Sequence, residues 1–132
     1  MRHESLDTNV LLRLYLKDIP DQFELAKRLV EARGKKFSIS DTAIIECIFV
    51  LEHHYEFTRD QITEVITALM SRNNFFCNRS VFPSALEFYR HNPTLSFEDC
   101  YLAETARVQK TIPLWTFDKA LARKCETVQE LK

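Results

Sequence analysis

The chain has 132 residues, of which 45% are hydrophobic and 28% are charged, and its formal net charge is −1. This length and apolar content predict one domain over residues 1–132, and a single glycine and four prolines leave little material for linkers. A net charge near zero excludes a uniformly basic surface, so any contact with nucleic acid requires a local basic patch.

Strand-like and helix-like patterns alternate through the first half of the chain. Between Pro20 and Gly34, apolar residues recur at helical spacing, and both residues are typical helix boundaries. Thr58 followed three residues later by Gln61 is typical of a capping box, and it predicts a helix that runs to Met70. The patterns predict strands at 3–6, 36–39 and 75–77, and helices at 10–16, 21–34 and 41–56 in addition to the one after Thr58.

The second half continues the alternation. A helix is predicted between Ser80 and Arg90, and another from Ser96 to about Thr111, with an Asn-Pro turn between them. A strand at 112–116 and a short helix at 119–124 follow, and the tail at 126–132 adds an edge strand or frays. The alternation predicts an α/β domain whose central sheet is mostly parallel and has four or five short strands.

Acidic residues follow two of the predicted strands. Asp7 comes directly after the first strand and Asp118 after the fourth, and ligands of open α/β sheets bind beyond the carboxyl ends of the strands. Asp99 lies at the third position after Ser96, in the first turn of its helix, and the face that it shares with Leu102, Ala103 and Ala106 is expected to be buried. Each acid also has a local explanation, because a carboxylate there caps a helix or favours the helix dipole.

Glu46 lies inside a helix that is apolar nearly all round. Its neighbours one turn away include Ala43, Phe49 and Val50, so we expect the side chain to be buried. A buried carboxylate without a partner costs several kcal/mol or takes up a proton. Since the helix itself carries no Lys or Arg, the partner is expected to be a basic side chain from elsewhere or a metal ion.

Carboxylates that share one site repel each other unless cations lie among them. Oxygen ligands without His or Cys suit Mg²⁺ or Mn²⁺, which also bind phosphate oxygens. Such an ion activates a water and stabilises a phosphoryl group during displacement, so no Ser, Cys or His nucleophile is required. The residues therefore favour hydrolysis of a phosphodiester at a site that these acids share.

Four segments carry a further pattern, and they are Leu6–Leu11, Ile44–Cys47, Ser96–Asp99 and Trp115–Lys119. Together and in this order they resemble the PIN domain family and, more narrowly, its VapC ribonuclease toxins. The resemblance covers nearly the whole chain. It implies a three-layer α/β/α fold, a Mg²⁺- or Mn²⁺-dependent endoribonuclease, a homodimer and a cognate antitoxin, with DNA contacted only indirectly through that antitoxin.

The resemblance also implies site residues. Its acidic quartet corresponds to four catalytic acids, Asp7, Glu46, Asp99 and Asp118, and of these Asp7, Asp99 and Asp118 are the expected ligands of the metal ion. Thr116 corresponds to a small polar residue that assists them, and Asn9 to a residue that orients them. Leu102 departs from the pattern, because some relatives carry an acid or polar residue there, and this leaves the number of metal ions open.

Three alternative functions remain open from the sequence. A phosphate-handling aspartate enzyme of the haloacid-dehalogenase type places a second Asp two residues after the first, where this chain has Asn9. A response-regulator receiver requires an acid pair at the first strand, and a mid-helix Glu46 fits neither class. A non-catalytic PIN-like RNA-binding or scaffold protein has typically lost one or more of the acids, and all four are present here.

Basic residues near the two ends of the predicted site are candidates for binding RNA phosphates. Arg13 follows Asp7, and Lys119 and Arg123 follow Asp118, although the same residues also suit a solvated helix face. No apolar run reaches the about 18 residues of a membrane span, and charged residues directly follow Met1. The four cysteines lie far apart without a C-x-x-C pair, so we expect reduced thiols in a cytoplasmic protein.

Overall fold

The structure is a computed structural model that describes residues 2–132. The chain divides into two compact units, the first ending at Asn78 and the second running from Arg79 to Lys132. Each unit combines parallel strands with helices, so the α/β class predicted from the sequence is confirmed. No helix within residues 2–132 combines the length and the apolar character that crossing a bilayer requires.

The first unit is a parallel sheet with helices in its connections. Its strands pair in the order β1-β2-β3, with Glu4 opposite Phe37 and Phe37 opposite Phe75. The described elements are β1 (Glu4–Ser5), α1 (Thr8–Leu16), α2 (Pro20–Val30), β2 (Phe37–Ser38), α3 (Asp41–His53), α4 (Arg59–Met70) and β3 (Phe75–Phe76). Helical crossovers are the usual way to join parallel strands, so the order of elements and the strand direction agree.

Aromatic and aliphatic side chains fill the core of the first unit. Phe37 and Phe75 are fully buried and meet edge to face, with their ring centroids 6.1 Å apart. Helix α1 packs against α2 and α3, and α3 packs against α4. Each fully buried residue of this size contributes about 1.5–3 kcal/mol. The buried aliphatic residues at these helix contacts include Leu11, Ile44, Ile48, Leu51, Ile62, Ile66 and Leu69.

The second unit contains two helices followed by a strand–helix–strand segment. Its described elements are α5 (Phe82–His91), α6 (Phe97–Val108), β4 (Leu114–Thr116), α7 (Lys119–Lys124) and β5 (Val128–Glu130). Helices α5 and α6 pack through aromatic rings. Tyr89 meets Phe97 edge to face, with their ring centroids 5.4 Å apart. Strands β4 and β5 are parallel, with Trp115 opposite Gln129. The tail predicted to add a strand or fray therefore adds one.

Several predicted boundaries extend too far. The predicted helices at 21–34, 41–56 and 96–111 end at Val30, His53 and Val108. A residue with positive φ follows each of these helix ends, and a residue in this conformation does not continue an α-helix. These residues are Gly34 after Val30, Glu56 after His53 and Lys110 after Val108. The five short strands are hydrogen-bonded as a set of three and a pair instead of one sheet. That residues 1–132 form one domain stays a prediction.

The capping box predicted at the start of α4 is present. Thr58 Oγ1 accepts the Gln61 N–H at 3.1 Å, and Gln61 Oε1 accepts the Thr58 N–H at 2.8 Å. We expect Thr58→Ala to lower the free energy of unfolding by about 1 kcal/mol, because the Gln61 N–H loses its ordered partner. Urea unfolding measures this. Thr67→Ala, on the exposed side of α4, is the control, and an equal loss there would contradict the role of the cap.

Candidate active site

Asp7 links the end of β1 to the start of α1. It is the N-cap of α1, and its Oδ1 accepts the Val10 N–H at 3.1 Å. The side chain is exposed, and within residues 2–132 its other carboxylate oxygen has no hydrogen bond or ion pair. The cap and the chemical role therefore do not exclude each other, because one oxygen holds the helix and the other remains for a ligand.

Thr8 was not among the site residues predicted from the sequence. It is only 9% exposed, and its hydroxyl donates to the Ala43 carbonyl at 3.0 Å and lies 3.4 Å from Glu46 Oε2. A hydroxyl has one proton, so the shorter contact to Ala43 is the principal bond and the contact to Glu46 is secondary. Thr8 thereby joins α1 to α3 beside both acids. The sequence feature that could have identified Thr8 as a site residue is its position directly after Asp7.

Glu46 is exposed, so the prediction that it is buried is wrong. The buried positions of α3 lie on one side of the helix, and they are Ala43, Ile44, Cys47, Ile48 and Leu51. Glu46 lies on the other side together with Phe49, which is 47% exposed. The apolar character of the segment was misleading because one large apolar residue faces solvent. Glu46 therefore needs no counter-charge to be stable where it is.

Asp7 and Glu46 line one hollow of about 390 Å³ in the first unit. Most of its lining groups present oxygen atoms, and none is a histidine or a cysteine. The full lining set is Leu6, Asp7, Thr8, Asn9, Ser40, Thr42, Ala43 and Glu46. Carboxylates with neighbouring hydroxyl and amide oxygens match the preference of Mg²⁺ or Mn²⁺ for hard ligands. The donor set of this hollow fits such an ion.

Cys47 lies next to Glu46 in the chain but does not take part in the site. It is 1% exposed, and burial raises the pKa of its thiol to about 12. The thiol is therefore protonated at neutral pH and is a poor nucleophile and metal ligand. None of the four cysteines forms a disulfide in the described part of the chain.

In the second unit, Asp99 lies in the first turn of α6. Its N–H donates to Ser96 Oγ at 3.2 Å, and the carboxylate is half-buried. The face that it was predicted to share is buried at Ala103 and Ala106, but Leu102 is 50% exposed. The predicted buried face is therefore only partly present, because Leu102 faces solvent.

Asp118 repeats the arrangement of Asp7. It is the N-cap of α7, its Oδ1 accepts the Leu121 N–H at 3.1 Å, and its side chain is exposed. Thr116 Oγ1 accepts the Asp118 N–H at 3.0 Å, so the threonine holds the turn that carries the acid. Like Asp7, Asp118 follows a parallel strand and uses one carboxylate oxygen as a cap.

The candidate RNA-binding cations differ in their surroundings. Arg13 pairs with Asp18 at 3.3 Å and donates to the Tyr55 hydroxyl at 3.0 Å, and its side chain is 14% exposed. These contacts hold the guanidinium in a structural network, and a role of Arg13 in binding phosphate stays a prediction. Lys119 and Arg123 are exposed and line a hollow of about 320 Å³ in the second unit.

The structure thus brings Asp7 and Glu46 to one hollow, and it places Asp99 and Asp118 at two helix starts of the second unit. Within residues 2–132, no group of three or more His, Cys, Asp or Glu side chains is arranged to hold a metal ion together. The shared action of all four acids stays a prediction.

Comparison with known families places these features in context. The PIN domain profile matches residues 5–126, a span that contains all four acids and most of each unit. The chain belongs to the PIN domain family. This PIN domain is also 28% identical over 106 residues to a VapC ribonuclease of Aquifex aeolicus (strain VF5), and the similarity covers 77% of each chain. The resemblance found at the four sequence segments is therefore confirmed at the level of the family.

Proposed function

We propose that this PIN domain is a metal-dependent endoribonuclease that hydrolyses RNA phosphodiester bonds. The observation that carries the proposal is the hollow in which Asp7 and Glu46 face the same space among hydroxyl and amide oxygens. Membership of the PIN family and similarity to a VapC ribonuclease support it. The reaction adds water across a P–O bond of the RNA backbone, which requires a base for the water and positive charge at the phosphate.

Four residues of the hollow have proposed roles. Asp7 binds the ion through the oxygen that the helix cap leaves open, and Glu46 accepts the proton of the attacking water. Thr8 limits the movement of Glu46 through its contact at 3.4 Å, and Asn9 orients the acids from the rim. When bound, Mg²⁺ or Mn²⁺ supplies positive charge that lowers the pKa of water and stabilises charge on the phosphate.

The proposal includes Asp99 and Asp118 as further ligands of the ion, and this part rests on the order of the sequence segments. Thr116 keeps Asp118 at the start of α7, and Lys119 and Arg123 bind RNA phosphates nearby in the second unit. Because the chain is similar to a VapC ribonuclease, the proposal also includes that the protein is the toxin of a toxin–antitoxin pair. In this proposal it acts in the cytoplasm as a homodimer, and a cognate antitoxin blocks its activity.

Metal dependence is the test of the proposed function. We expect Mg²⁺ or Mn²⁺ to support cleavage of single-stranded RNA and to raise the melting temperature, because an ion that binds only the folded state stabilises it. EDTA is expected to abolish both effects. Glu46→Gln is expected to leave the melting temperature in EDTA nearly unchanged, because Glu46 is exposed, but to reduce cleavage at saturating metal by about a hundredfold or more.

The measurements are cleavage of a labelled RNA and thermal melting followed by circular dichroism, each with metal and with EDTA. Glu64→Gln, which changes an exposed acid on α4, is the matched control and is expected to behave like the wild type. Full cleavage by protein stripped of metal would contradict the metal-dependent mechanism. A Glu64→Gln variant as inactive as Glu46→Gln would contradict the role given to Glu46.

A further inference from the structure

The second unit exposes two large aromatic side chains next to Asp118. Trp115 is 58% exposed and Phe117 is 77% exposed, whereas Phe82 and Phe97 of the same unit are almost fully buried. Exposed aromatic residues leave apolar area in contact with water, and two of them together often mark a binding surface. Neither residue takes part in the roles proposed above.

The register of the β4–β5 pair explains why Trp115 faces solvent. Successive strand residues point to opposite faces, and Leu114 and Thr116 are half-buried while Trp115 between them is exposed. Its partner across the pair is Gln129, which is also exposed. Trp115 therefore stands on the solvent side of the two-stranded sheet, and Phe117 follows in the bend that leads into α7.

A basic hollow of about 320 Å³ adjoins this aromatic surface through Gln129. It is lined by three cations, Lys119, Arg123 and Lys132, against one carboxylate, Glu130. All three cations are exposed, and none of them forms an ion pair within the described part of the chain. Their positive charge is thus available to an external anion. Gln129 belongs to the lining of this hollow and is also the strand partner of Trp115.

We propose that Trp115 and Phe117 are a base-stacking surface for single-stranded RNA whose phosphates lie in the hollow of Lys119, Arg123 and Lys132. Stacking on aromatic rings combined with a positively charged groove is the chemistry by which proteins bind single strands. This inference rests on the proposed ribonuclease function, because it names the residues that hold the strand beside Asp118. Charge complementarity favours RNA as the occupant over an apolar protein surface, since the hollow that shares Gln129 with the strand pair of Trp115 is lined by three cations without an ion pair.

Binding of single-stranded RNA explains the exposed aromatic pair and the basic hollow together. A duplex hides its bases within the helix stack, so the aromatic pair is expected to accept bases only from unpaired strands. Contacts of this kind tolerate different sequences because every base has a π-face, and the cations contribute a salt-sensitive share of the affinity. The surface is therefore expected to select unpaired RNA more than a particular base sequence.

Trp115 is the only tryptophan of the chain, so its fluorescence reports directly on this surface. Short single-stranded RNA is titrated into the full-length protein in EDTA, where cleavage does not interfere, and tryptophan fluorescence and the anisotropy of labelled RNA are both recorded. We expect the RNA to quench Trp115 at the same concentrations at which anisotropy rises. An abasic ribose-phosphate strand of equal length, which keeps the charge but lacks bases, is expected to cause little quenching.

Variants separate stacking from apolar contact. We expect Trp115→Leu and Phe117→Leu each to weaken RNA binding about tenfold or more, whereas Trp115→Phe keeps it within about threefold of the wild type. Phe49→Leu, which changes an exposed aromatic residue on α3, is the matched control and is expected to bind RNA normally. Melting temperatures check that each variant is folded, and little change is expected because these side chains are exposed.

Distinct outcomes overturn the inference or the function. RNA that binds without quenching Trp115, or an abasic strand that quenches equally, would overturn the stacking surface. Self-association of the wild type that Trp115→Leu abolishes, with unchanged RNA affinity, would show instead that this surface joins two copies of the chain. If RNA quenches Trp115 and the variants behave as expected, yet no metal supports cleavage, the stacking surface stands and the proposed nuclease function fails.

Discussion

Asp7→Asn is expected to reduce the rate of RNA cleavage by about a hundred- to a thousandfold. The carboxamide has nearly the shape of the carboxylate and still accepts the Val10 N–H, so the start of α1 is preserved. It lacks the negative charge that binds a cation, and a loss of about 3–4 kcal/mol in transition-state stabilisation corresponds to this decrease. Cleavage at saturating Mg²⁺ or Mn²⁺ and melting in EDTA measure the two effects.

Asp7→Ala separates the cap from the chemistry. This variant loses both the charge and the acceptor for Val10, so we expect the same fall in activity together with about 1 kcal/mol lower stability. Asp7→Asn is expected to melt like the wild type. If Asp7→Asn cleaves RNA at the wild-type rate, Asp7 is a helix cap and nothing more. If Asp7→Asn does not fold, its loss of activity does not report on metal binding, and the carboxylate of Asp7 stabilises the fold by more than one helix-cap hydrogen bond.

Asp118→Asn is expected to decrease the rate of RNA cleavage about as much as Asp7→Asn does. The effects of the two substitutions on this rate are expected not to multiply in the double variant. Asn keeps the cap on Leu121 while removing one charge. When residues act as one unit, the first substitution already removes most of the activity. The cleavage rate of the double variant is therefore expected to lie within about tenfold of the rate of the less active single variant. Rates of RNA cleavage for the wild type, both single variants and the double variant give the coupling.

Glu126→Gln is the control for this cycle, since it changes an exposed acid two residues after the end of α7. It is expected to cleave RNA like the wild type alone and to leave the Asp7→Asn rate unchanged. Fully multiplicative losses for Asp7→Asn and Asp118→Asn would contradict the prediction that these acids serve one site. Wild-type activity of Asp118→Asn would remove Asp118 from the catalytic residues while leaving Asp7 and Glu46 in place.

Part of the site was predictable because helix starts have a local sequence signature. Asp7 and Asp118 each follow a strand and precede a helix, and each side chain accepts an N–H from the residue three positions later. The interaction depends on neighbouring residues only, so the sequence predicts it without knowledge of the fold. Ser96 caps α6 in the same way by accepting the Asp99 N–H.

Glu46 shows where the pattern was insufficient. An apolar run does not indicate which side of a helix faces the core, and the exposure of Phe49 shows that large apolar residues occur on both sides. The contacts of Arg13 also depend partly on the fold. Its ion pair with Asp18 is local, but its hydrogen bond to Tyr55 joins residues 42 positions apart and became visible only in the folded chain.

By itself the sequence determined the helices, their capping residues, the approximate strand positions and the family. These features depend on residues within a few positions of each other, or on segments whose order along the chain is preserved. Only the tertiary structure decided that Thr8 bonds to Ala43 across 35 positions, that Glu46 faces solvent, and that the strands pair as three and two. Contacts between distant residues follow from how buried faces pack and from strand register, and a single sequence does not specify either through local propensity.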